Sequence, residues 1–138
     1  MDSSTRVRAA TTVVRVSLAL MYLSHSLVLK VGTYGFAGTA QFFVSVGLPA
    51  FLAYVTIAAE AVGGVLLLAN VRTSVVSLAL IPFLVGATFV HAPNGWVFTS
   101  PGGGWEYPLF LIAVSAVLAL LAWPAARDVP AAQPAVVA

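Results

Sequence analysis

Four stretches of the sequence consist almost entirely of apolar residues: Val13 to Val31, Pro49 to Ala69, Thr73 to Val90 and Tyr107 to Trp123. Each runs about 17 to 21 residues, and at about 1.5 Å per helical residue each reaches across a hydrocarbon core of roughly 30 Å. In lipid a backbone must satisfy its own hydrogen bonds, which favours helices. The expected fold is therefore all-α, an integral membrane four-helix bundle. Composition agrees: 61% of the 138 residues are hydrophobic and 7% charged, against about 45–50% apolar and about 25% charged in a soluble domain. So few charges cannot cover a soluble globule, but a surface facing lipid does not need them.

Local signals mark the ends of the runs. Pro49 and Pro108 suit a first helical turn, where a missing N–H costs nothing. Asn70 and the Pro93-Asn94-Gly95 turn close the middle helices. Pro82 falls inside the third, tolerable where neighbours satisfy the freed carbonyl. Residues 1–12 read as a basic cytoplasmic segment, 13–123 as the transmembrane domain, and the Ala/Pro-rich 124–138 as a disordered tail. Gly32 to Val46 reads as the first outer loop, with a short interfacial helix over Gln41 to Val46. His91 to Glu106 reads as the second.

Cytoplasmic loops retain Lys and Arg. With both termini cytoplasmic, Arg6, Arg8, Arg15, Arg72 and Arg127 lie inside and Lys30 near the outer face. Trp96, Trp105 and Tyr107 then form an outer aromatic belt and Trp123 an inner one. The expected location is the plasma (inner) membrane, with multiple passes. A secretory signal in the first run is disfavoured by its length and by His25 and Lys30 within it. The net charge of +2 comes from scattered residues, too dispersed to bind nucleic acid. The sequence contains no cysteine, which excludes thiol redox centres and cysteine-held metal or iron–sulfur clusters. No metal site is expected.

An ionisable residue in mid-membrane is a functional candidate. Glu60 lies roughly 16 Å below the outer end of the second helix and His25 about 15 Å above the inner end of the first, at 1.5 Å per residue. On the second helix Thr56, Glu60, Gly63 and Gly64 share a face, with small residues that let a neighbour approach. On the first, Tyr22, His25, Ser26 and Lys30 form a polar stripe that would face Glu60. Lys30, His91 and Glu106 make a second layer near the outer interface. A simple packing pair between Glu60 and His25, and snorkelling of Lys30 to the headgroups, are the competing structural explanations.

In the outer loop, His91-Ala-Pro-Asn94-Gly95-Trp96 is followed by Gly102-Gly103-Gly104-Trp105-Glu106-Tyr107. Three glycines before a helix can free backbone N–H groups for an anion. Equally, Glu106 can occupy that helix terminus as an internal anion. No Lys-Ser/Thr pair of a P-loop follows.

These features in this order resemble the DoxX family of small four-helix membrane proteins. The residues that carry the likeness are Gly47-Leu48-Pro49, Glu60-x-x-Gly63-Gly64, Arg72-Thr73, His91-x-x-Asn94-Gly95 and Gly102-Gly103-Gly104-Trp105-Glu106-Tyr107-Pro108. The family's His-Gly-x-x-Lys pattern in the first helix is altered: Ser26 follows His25, and Lys30 comes one position late. The resemblance implies a membrane component of a redox system, some relatives being quinone-linked and others tied to thiol and oxidative-stress complexes.

Three functions are compatible with the sequence. In the first, the chain is a membrane subunit of a quinone-linked redox system in which Glu60, His25 and His91 exchange protons and a partner protein supplies electrons. Tyr22, Lys30, Gly63, Gly64, Asn94, Trp105 and Glu106 would then line the ligand site. Quinone is the expected ligand and no cofactor is bound covalently. Haem is disfavoured, because His25 and His91 differ in depth by about 9 Å on the same count. In the second, the chain is a non-catalytic adaptor or a binder of a lipid, quinone or anion. The third, a transporter or proton path, would need a homo-oligomer.

Overall fold

A computed structural model describes residues 2–123 as a set of antiparallel helices, with no strand among them. Met1 and the 124–138 tail, including its expected disorder, lie outside the described residues. Helix α1 spans Ser3–Leu23 and continues without a break into a π-helical segment, Ser24–Thr33. Then follow α2 (Gly35–Ser45), α3 (Phe51–Leu68), α4 (Thr73–His91), a single 3₁₀ turn (Ala92–Asn94) and α5 (Glu106–Leu121).

Three of these segments are long and apolar enough to cross a membrane: Ser3–Thr33, Phe51–Leu68 and Thr73–Asn94. The fourth expected run forms a shorter apolar helix, α5, of 16 residues. The first segment starts ten residues earlier than its apolar run. Asp2 caps it, accepting the Thr5 amide at 2.8 Å, and hydrogen bonds from Thr5 hold the Asp2 carboxyl below its ordinary value. The basic residues Arg6 and Arg8 are thus on an exposed helical extension rather than in an irregular segment. The first outer loop is also corrected, because helix covers Gly35–Ser45 and not only Gln41 to Val46. Its glycines suggested a loop, yet Gly35 with φ +71° makes the turn into α2 and Gly38 sits within it.

Helix α3 packs on α1, the π segment, α2 and α4, while α5 packs on α4 and α1. The apolar core gathers Leu18, Ala19, Tyr22, Leu67, Leu80 and Leu118. These lie where the C-terminal part of α1 meets α4 and the C-terminal halves of α3 and α5. A wide belt of exposed apolar side chains, including Leu20, Val62, Val65, Val117 and Leu120, covers the outside of the bundle. In water such a belt would aggregate, but in a bilayer it is the wetted surface. Helix α4 runs unbroken through Pro82, whose exposed position leaves the crowded α3 contact undisturbed.

Candidate functional site

The site is built on the contact between α1 and α3, and its register is fixed by three contacts. At one end the Arg15 guanidinium donates to the Leu67 carbonyl and, at 2.8 Å, to that of Leu68, covering unpaired groups at the end of α3. In the middle, a Cβ added at Gly64 would lie 2.7 Å from Leu23 Cγ and 3.2 Å from the Ala19 carbonyl oxygen. Farther along, the fully buried Ser26 hydroxyl donates to the Ile57 carbonyl at 2.8 Å. Gly63 serves α4 in the same way, its missing side chain replaced by Leu80. Both glycines of the Glu60-x-x-Gly63-Gly64 pattern are therefore occupied by neighbouring helices.

Above this seam the Lys30 ammonium meets the Glu60 carboxylate at 2.5 Å, with 17% and 10% of the side chains exposed. The sequence places Lys30 both in the polar stripe facing Glu60 and in an outer layer, with His25 at the depth of Glu60; within that stripe Lys30, and not His25, pairs with Glu60. Continuing the register from Ser26 and Ile57, the Lys30 backbone stands level with Ala53, about seven residues or roughly 10 Å from Glu60. Side chains on a helix tilt toward its N-terminus. In two antiparallel helices, Lys30 and Glu60 consequently lean toward each other and close that gap. Thr39 of α2 donates to the Lys30 carbonyl at 2.8 Å and seals the end of the pair.

The π segment explains why Lys30 can do this one position late. Its bonds span five residues, as in Tyr34 N–H to the Leu29 carbonyl at 3.0 Å, instead of the four of an α-helix. Each turn takes up about one extra residue, so the added position between His25 and Lys30 does not rotate the lysine away from α3. Such wide turns concentrate at functional sites.

His25 points elsewhere. Its Nδ1 donates to the Met21 carbonyl at 3.2 Å, so in the neutral ring Nε2 is the free acceptor. Its ring stacks on Tyr107 of α5, centroids 5.8 Å apart. Deeper in the bundle the Tyr22 and Ser115 hydroxyls approach to 3.4 Å, both buried. The Ser77 hydroxyl, 1% exposed, has no hydrogen-bond partner among the described residues. Thr39, Tyr107, Ser77 and Ser115 are not in the expected set. The sequence signal for Ser77 and Ser115 was their isolation inside apolar helices, whereas nothing local marks Thr39.

The outer loop is bonded to itself. His91 Nδ1 donates to the carbonyls of Gly102 and Gly103 at 3.0 and 3.2 Å, and Asn94 donates to the same two at 3.0 and 2.9 Å. Gly102 and Gly103 present those carbonyls at φ +82° and +80°, where a side chain is strained. Gly104 lies against the carbonyls of Trp96 and Val97 with no room for a Cβ. Of the three glycine N–H groups, that of Gly103 is already bonded, as are the two amides that follow the glycines. Gly103 donates to Ser100, Trp105 to Gly95 and Glu106 to Trp96. Glu106 caps the loop rather than its own helix, accepting from the Phe98 amide at 3.0 Å. Trp105 supports Trp96 edge to face at 4.4 Å. His91, Asn94, Trp105 and Glu106 are thus brought together, but away from the Lys30–Glu60 pair in the bonding pattern. Among the described residues no three His, Asp or Glu side chains converge as metal ligands would.

The family model that matches this chain is DoxX, over residues 10–93. A relative, "Putative oxidoreductase CatD" of Bacillus subtilis (strain 168), is 39% identical over 77 residues, which is 56% of this chain and 55% of that protein. The chain thus spans about half the length of the curated relative it matches. No solved structure matches it.

Proposed function

The chain belongs to the DoxX family of small membrane proteins, and from this premise we propose that it is the membrane subunit of a quinone-linked redox system. The observation that supports this most is the Lys30–Glu60 pair, two opposite charges in an apolar bundle that small residues already pack. Desolvating two charges costs several kcal/mol per ion, so as structural glue the pair is inefficient. Buried ionisable groups in membrane helices ordinarily serve ion or proton movement. The name of the Bacillus subtilis relative supports the redox assignment.

In this reading the chain crosses the plasma membrane four times with both termini cytoplasmic, and a partner protein supplies the electrons. Reduction of a quinone to its quinol takes up two electrons and two protons. Glu60 and Lys30 hold and pass protons, their carboxylate and ammonium standing in direct hydrogen-bond contact. His25, its Nε2 left as the acceptor and its ring on Tyr107, is the hydrogen-bonding group assigned to a headgroup entering from the lipid. His91 keeps the loop closed and takes no part in proton exchange, which narrows the set of residues first expected.

The test is the full chain, purified in nanodiscs, with ubiquinone-1 as the probe. Copurifying quinone in the lipid extract and a thermal shift with ubiquinone-1 are expected. In the complex with its electron donor, Glu60→Gln should remove quinone reduction while the helical spectrum stays unchanged. Absence of both quinone and thermal shift would favour the non-catalytic adaptor instead.

A further inference from the structure

At the N-terminal end of α5 an open groove of about 490 Å³ is bordered by Trp96, Phe98, Tyr107 and Phe110, with Glu106 among them. None of the four rings is buried. Four aromatic side chains and one carboxylate line the groove, and no basic side chain is among its lining residues. Aromatic faces attract ammonium groups through the ring quadrupole, and quaternary or primary amines bind best where several rings and an anion converge. The loop supports the groove: Trp105 packs edge to face on Trp96, and the Phe98 amide holds one oxygen of the Glu106 carboxylate.

From this geometry we infer that the groove binds the ammonium headgroup of a zwitterionic phospholipid. The lipid source follows from what lies below the rings. The lining continues along α5 through Leu109 and Ala113, both exposed on the apolar outside of the bundle, where an acyl chain can lie. A headgroup with its ammonium on Glu106 and its chain along α5 uses both halves of the groove. An anionic lipid would put a negative charge against the carboxylate and the ring faces, and is rejected. The inference does not rest on the quinone reading; Tyr107 alone of the lining residues also touches a residue of that reading, His25.

The experiment uses the full chain in vesicles of equal phosphatidylethanolamine and phosphatidylglycerol, released for native mass spectrometry. We expect phosphatidylethanolamine adducts about tenfold enriched over phosphatidylglycerol. Glu106→Gln, which can still accept from the Phe98 amide, should bring the two to parity. Phe110→Leu, on the exposed face and outside the loop's hydrogen bonds, should reduce the preference severalfold even if the first variant fails to fold. Equal or phosphatidylglycerol-rich adducts on the unmodified chain would overturn the inference. So would a phosphatidylethanolamine preference that survives both substitutions.

Discussion

Lys30→Met removes the ammonium from the α1–α3 seam and leaves the Glu60 carboxylate where it is. Across 2.5 Å the gross attraction at an effective dielectric of about 20 is about 6–7 kcal/mol, most of which offsets desolvation of the two groups. The substitution forfeits that attraction without restoring water to Glu60, which is 92% removed from solvent. Removing one member of a buried pair ordinarily costs about 3–5 kcal/mol, and methionine fills the lysine stem, so packing adds little. The loss should therefore sit in that range. Combining Lys30→Met with Glu60→Leu removes both charges, and most of the loss should return. The assay is reversible unfolding of the full chain in mixed micelles, read by circular dichroism as a double-mutant cycle. If Lys30→Met costs less than about 1 kcal/mol, or if the double variant is as unstable as the sum of the singles, the two groups are not coupled and the reading of the site fails.

Other outcomes follow from local geometry. Gly64→Ala should destabilise by about 1–3 kcal/mol in the same unfolding assay, because its Cβ meets both Leu23 Cγ and the fixed Ala19 carbonyl. Gly63→Ala should cost less, since it meets only the mobile end of Leu80. Gly104→Ala should open the loop onto the carbonyls of Trp96 and Val97, seen as a change in tryptophan fluorescence from the paired Trp96 and Trp105, with helical content retained. Ser77→Ala should be neutral or stabilising by up to about 1 kcal/mol, since the hydroxyl it removes is buried without a partner and loses only a desolvation penalty. A clear loss of stability there would mean that the hydroxyl has a partner in the membrane.

The long apolar helices were legible because length and hydropathy act through the bilayer thickness, a constraint that any sequence must meet on its own. Glu60, Gly63 and Gly64 were legible as one buried face for a similar reason, as α3 is a regular α-helix and residue spacing maps directly onto it. The stripe facing Glu60 was legible too, but not which of its residues makes the contact. Counting 100° per residue from Tyr22 crosses into a π segment at Ser24, after which the count no longer gives the facing direction. Depth counted along the backbone also misses the opposed lean of side chains on antiparallel helices, and this lean is what brings Lys30 inward. The early start of α1 escaped because Ser, Thr and Arg in its first turns carry no apolar period, and only the Asp2 cap marks the beginning. In the outer loop, the glycines were recognisable but their direction was not: the same three residues could present N–H groups or carbonyls, and His91 with Asn94 selects the carbonyls.

Arg15 has two roles that matter for how the chain enters a membrane. As one of the basic residues expected to orient the bundle, it looks like a free charge to be moved or reversed in a topology experiment. Its guanidinium is nevertheless seated on the last carbonyls of α3, so replacing it withdraws an anchor from a second helix at the same moment. A residue expected to act in insertion thereby doubles as a latch that engages only once α3 has returned alongside α1. Charge shifts confined to Arg6 and Arg8 on the exposed extension would change the insertion signal alone and leave that latch intact.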